Sequence, residues 1–93
     1  MTAAEYAASL NAVPLASLAD GEVARLVRLE AGGELRARLM AMGLRRGAHV
    51  RVVHKRGRGP FVVAVGTMRL VLGRGMVRKI LVERFAEAKG GAA

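Results

Sequence analysis

The chain has 93 residues, enough for one small domain with a single modest core. Hydrophobic residues make up 53% of it, dominated by Val, Leu and Ala, which excludes disorder of the whole chain. Cys is absent, which excludes a disulfide framework, a thiolate zinc site, an iron–sulfur cluster and a cysteine nucleophile.

The formal net charge is +9, and it is unevenly spread. Residues 1–33 hold four acids against Arg25 and Arg28, whereas residues 34–93 hold fourteen basic residues against Glu34, Glu83 and Glu87. Between Leu35 and Val82 there is no carboxylate, and twelve Lys or Arg fall in that span. Such a surface suits an acidic protein partner, nucleic acid or an anionic membrane, or simply confers solubility. Met1 to Leu18 carries Glu5 and no Lys or Arg, unlike a secretory signal or transit peptide, so the expected location is cytoplasmic. The longest apolar stretch, Phe61 to Met68, is interrupted by Gly66 and is far shorter than the roughly 20 residues of a membrane-spanning helix.

In chain order, residues 1–13 are Ala-rich, with Tyr6 and Leu10 at i and i+4, and read as a flexible or partly helical extension. The domain is expected over 14–85. Pro14 opens it, Asp20-Gly21 is a turn, and Glu22–Glu30 is the first strand. The strand carries mixed faces, Val23, Val27 and Leu29 with Arg25 on one side and Ala24, Leu26 and Arg28 on the other, which suits strong bending in a small barrel.

A short helix follows Gly32-Gly33, since Leu35, Leu39 and Met42 recur at i, i+4 and i+7. Gly43 ends it in a left-handed conformation, Leu44 folds back onto Leu39, and Gly47 makes a second turn. His49–Lys55, Phe61–Val65 and Met68–Leu72 form an antiparallel meander, with Val50, Val52, Phe61, Val63, Val65, Met68, Leu70 and Leu72 lining one interior. Gly73-Arg74-Gly75 punctuates, Met76–Lys79 makes one helical turn, Ile80–Phe85 closes the sheet, and 86–93 is a flexible tail. The expected fold is therefore mainly β: a small five-stranded antiparallel barrel with one short α-helix after the first strand.

The segments PLASLADGEVARLVRL, LRARLMAMGLRRGAHVRVV and RGPFVVAVGTMRLVLGRGMVRKILV resemble the FeoA family over residues 14–85. The most specific part is the Leu-rich helical turn followed by Met42-Gly43-Leu44, Gly47 and a Val-rich strand, with Leu35, Leu39, Met42, Gly43, Leu44 and Gly47 as its structural residues. The resemblance implies an SH3-like barrel and a cytoplasmic, non-enzymatic accessory role in ferrous iron uptake, with a FeoB-type permease as partner. At family level it also implies a link to transition-metal ions, and weak self-association is a further expectation. The same domain is appended to some iron-dependent repressors, which makes a metal-sensing module one alternative.

The chemistry-bearing residues argue for binding over catalysis. His49 and His54, the only histidines, are five apart on one strand, and odd spacing sends them to opposite faces, away from any carboxylate. No metal site and no cofactor is expected. Ser9 and Ser17 belong to no nucleophile–base–acid set, and Asp20, Glu22, Glu30 and Glu34 suit solvation and capping. Gly57-Arg58-Gly59 and Gly73-Arg74-Gly75 lack the flanking elements of a phosphate loop and read as turns. Arg45, Arg46, Lys55, Arg56 and Arg58 form the candidate partner-binding patch. Nucleic acid is the other alternative for such a patch, but Tyr6, Phe61 and Phe85 are the only aromatics available for base stacking. Met40, Met76 and Val71 could flank a protein contact at an exposed strand edge.

Overall fold

The computed structural model describes residues 2, 3, 6, 10–55 and 59–85. Six strands form one antiparallel sheet: β1 (Val13–Pro14), β2 (Val23–Leu29), β3 (His49–Lys55), β4 (Phe61–Val65), β5 (Met68–Leu72) and β6 (Ile80–Arg84). Their order in the sheet is β1-β6-β2-β3-β4-β5. A 3-10 turn covers Leu15–Ser17, α1 covers Gly33–Ala41 and α2 covers Arg74–Val77. Inward residues of every strand from β2 to β6 join Leu15, Leu18, Leu39, Leu44 and Val77 in a single apolar cluster. The sheet is thus curled around one core, as a small barrel requires.

The expected five strands become six because Val13 and Pro14 pair with Val82 and Leu81. Proline fits this outermost position, where its missing N–H costs the sheet no internal bond. Among the extension residues described, Ala3, Tyr6 and Leu10 are helical, the Tyr6 N–H donates to the Thr2 carbonyl at 3.0 Å, and both Tyr6 and Leu10 are exposed. The tail expected over 86–93 lies outside the described residues.

α1 ends as its sequence predicts. The Leu44 N–H donates to the Leu39 carbonyl and the Gly43 N–H to the Met40 carbonyl, both at 3.0 Å, with Gly43 at φ +99°. These are the two bonds of a Schellman ending. Leu39 and Leu44 are buried, while Leu35 and Met42 pack on the core from its margin. Gly47, at φ +89°, directs its N–H to the Leu26 carbonyl at 2.8 Å and so feeds the chain into β3.

Three expectations are corrected. The helical turn after β5 starts at Arg74, two residues earlier than predicted, because Gly73 is the extended residue that opens it and its carbonyl accepts from Met76 and Val77. Gly73-Arg74-Gly75 is consequently the head of α2 and no turn between strands. Met68, expected inside, is 48% exposed, because it sits beside the Gly66-Thr67 turn at the tip of the hairpin. His49 and His54, expected on opposite faces, share the outward one. The β3–β4 register slips between Val52 and His54, so Val53 is an extra residue and His54 lies opposite Val62, on the side that Arg51 shares with Ala64.

An equivalent slip in β2, between Leu26 and Arg28, makes Val27 the extra residue opposite β6. The inward set there is Ala24, Leu26 and Leu29, which explains how a strand with mixed faces serves one core.

Candidate docking surface

The Schellman turn determines where the first two candidate cations stand. Arg45 and Arg46 leave it directly, the Arg45 N–H donating to the Gly43 carbonyl at 3.0 Å and its guanidinium reaching the Met40 carbonyl at 3.5 Å. Both are exposed and form a ridge between two hollows. The smaller, about 180 Å³, lies over the β2 bulge, with Met40 on one wall and Arg28 and Arg36 at its margin. The larger, about 640 Å³, is a broad groove between the end of α1 and the β4–β5 hairpin, with Met42, Ala48, Val65 and Met68 along it. Apolar floors beside guanidinium rims suit a partner side chain with a carboxylate nearby.

The other three candidates do not join this ridge. Lys55 turns inward, because the Val53 bulge pairs it with buried Phe61. Its ammonium donates to the carbonyls of Ala16 at 2.9 Å and Leu18 at 2.8 Å and stands 5.4 Å from the Phe61 ring centroid, and its backbone N–H donates to Asp20 Oδ1 at 2.9 Å. The residue braces the 3-10 segment against the sheet. Arg56 and Arg58 lie outside the described residues, as does part of Gly57-Arg58-Gly59.

The acids take the surface roles their positions suggest. Glu30 pairs with Arg28 at 3.1 Å, and Glu22 accepts from Arg84 Nε at 2.6 Å. The Ala19 N–H donates to the Glu22 carboxylate at 3.0 Å, and this bond, with Arg84 and Lys55 alongside it, outweighs the opposing effect of burial and holds the Glu22 carboxyl below its ordinary value of about 4.5. A carboxyl with a depressed folded pKa adds stability above its unfolded pKa and loses it as pH falls through the folded value. The stability advantage of the wild type over Glu22→Gln should therefore shrink as pH falls from neutral to below about 4.5, as checked by urea midpoints along a pH series.

Among the described residues no three His, Asp or Glu side chains are grouped closely enough to hold a metal ion. His49 packs edge-on against Phe85 with ring centroids 4.9 Å apart, and the Arg25 guanidinium stands 5.1 Å from the same ring. Phe85 is thereby engaged and Phe61 is buried, which leaves no exposed pair of rings among the described residues to act as a base-stacking platform.

Sequence reasoning passed over Arg28, Arg36 and Met68 as surface-forming residues. Arg36 lay in the acid-free span, the signal that could have found it.

A curled antiparallel sheet on one apolar core, with a helix after its first long strand, defines a small SH3-like β domain. The family model for the FeoA domain matches residues 13–84, and the chain belongs to that family. A Methanocaldococcus jannaschii protein named "Putative Fe(2+) transport protein A" is 31% identical over 70 residues, spanning 75% of this chain and 84% of that one. The solution structure of Chlorobium tepidum FeoA superimposes with a TM-score of 0.74 at 32% identity, over 80% of this chain and 71% of the other. Stenotrophomonas maltophilia FeoA, solved with zinc and described as an SH3 domain protein, gives 0.68 at 25% identity, over 76% and 89%. No helix among the described residues is long and apolar enough to cross a membrane.

Proposed function

We propose that the protein is a cytoplasmic, non-enzymatic accessory protein of ferrous iron uptake that docks on the cytoplasmic domain of a FeoB-type permease and modulates transport. The observation that carries this reading is the open apolar groove rimmed by Arg45 and Arg46 on a FeoA-family barrel. The iron transport name of the Methanocaldococcus jannaschii relative supports the process, and a role as a ferrous iron transport activating factor has been suggested for the Stenotrophomonas maltophilia protein. A groove of this kind offers contact area and charge but brings no acid–base pair to one point, so its action is binding: occupancy of the partner alters the partner.

Reversing both charges, Arg45→Glu with Arg46→Glu, should weaken binding to the permease's cytoplasmic domain about tenfold or more at low salt, while the melting temperature stays near that of the wild type. Isothermal titration at low and moderate salt, with a thermal melt of the variant, measures both. Undiminished affinity at both salts would dismiss the ridge as the contact. Tight binding of generic oligonucleotides that collapses with salt would favour the nucleic-acid alternative. Stabilisation by stoichiometric Fe(II) would favour the metal-sensing one.

A further inference from the structure

Among the described residues, β5 has β4 on one side and no strand on the other. The two-residue turn Gly66-Thr67 makes Val65 and Met68 the pair that closes the hairpin, so hydrogen-bonded pairs recur at Val63 with Leu70 and at Phe61 with Leu72. Arg69 and Val71, opposite Ala64 and Val62, occupy the alternate positions. Their N–H and C=O groups point away from β4, and no further hydrogen bond engages them. On the same strand Val71 is 69% exposed and Met68 48%, the two most exposed large hydrophobics within the sheet. An edge with free backbone groups beside apolar side chains invites a further strand.

We propose that the open edge of β5 is a strand-addition site for an extended, acidic segment of a partner protein. The backbone of Arg69 and Val71 would exchange hydrogen bonds with it. The partner residue beside Arg69 would carry a carboxylate, and the one two positions on, beside Val71, would be apolar. Charge selects this occupant. Arg69 stands in the span from Leu35 to Val82 that has twelve basic residues and no carboxylate, so a second copy would bring like charge to the edge, while an acidic segment complements it. The site adjoins the Arg45–Arg46 groove at Met68 but is formed by the β5 backbone at Arg69 and Val71, outside that groove, and holds whether or not the partner is the permease.

The test uses the full chain and a short capped synthetic peptide in which glutamate and valine alternate at every second position with threonine between, and a second peptide with lysine in place of glutamate. Amide hydrogen exchange by NMR is the readout. Binding of the glutamate peptide should slow exchange at the Arg69 and Val71 amides about tenfold or more, and the lysine peptide should not. Arg69→Glu, an exposed substitution, should invert that preference. Val71→Pro removes an outward N–H while sparing the ladder to β4, and should abolish the effect in a chain that still melts cooperatively. No slowing at either amide, or equal slowing by both peptides, would overturn the proposal. Slowing that rises with protein concentration in the absence of peptide would overturn it too, by assigning the edge to a second copy.

Discussion

Gly43→Ala should cost about 2 kcal/mol of stability, from two separable causes. The first is conformational: at φ +99° a Cβ is disfavoured, and this residue's conformation enables both closing bonds of α1. The second is steric, since a Cβ built on Gly43 would lie 3.3 Å from Val65 Cγ1. Val65 is β-branched, buried and held in the β4 ladder, so it yields only by shifting the hairpin. Gly47 supplies the control, because its φ is +89° but a Cβ there would meet nothing within 4 Å. Gly47→Ala should therefore carry only the conformational part, about 1 kcal/mol. Urea unfolding of both variants measures the difference. Equal losses would mean that Val65 absorbs the contact, and an unchanged midpoint for Gly43→Ala would contradict the helix ending itself.

The same glycine shows why much of this fold is legible in the sequence. Helix α1 is bounded by glycines, with Leu35 and Leu39 within it and Met42 capping it at helical spacing. The three meander strands alternate at period two between turn residues, and their limits in the structure are those expected. Bulges are a different matter. In Val52-Val53-His54-Lys55, two adjacent valines both suit a strand, and which of them is extra is decided by the pairing with Val62 and Val63 on another segment. That one-residue slip brings His54 to the face of His49 and turns Lys55 inward. Val27 hides the equivalent slip in β2. β1 was unreadable for another reason: two residues have no period, and Val13–Pro14 is a strand only because β6 offers an edge.

Legibility of the candidate surface follows the same division. Arg45 and Arg46 were accessible through their place after Gly43 in the acid-free span. The apolar side of the groove was hidden, because alternation alone puts Met68 inside with Leu70 and Leu72, whereas its position at the hairpin tip leaves it out.

Lys55→Met should destabilise the protein by about 2 kcal/mol while leaving its affinity for an acidic partner unchanged. Sequence alone groups Lys55 with Arg45 and Arg46, but the structure gives its charge a different use. The ammonium bridges the carbonyls of Ala16 and Leu18 in the 3-10 turn and stands over the Phe61 ring. Methionine preserves most of the apolar stem and removes the donor, so the two part-buried carbonyls lose a charge-assisted partner and the 3-10 segment loses its tie to β3. The backbone bond from Lys55 to Asp20 Oδ1 is independent of the side chain and should persist, which limits the loss to local loosening. Denaturation midpoints, with amide exchange at Leu18, measure that loosening, and the Leu18 amide should exchange faster because its own bond to the Leu15 carbonyl belongs to the freed turn. The expected pattern is the reverse of that for Arg45→Glu with Arg46→Glu, in which binding falls and stability holds. If Lys55→Met instead weakened binding with no loss of stability, its ammonium would face the partner in solution, and the brace between the 3-10 turn and the sheet would be wrong.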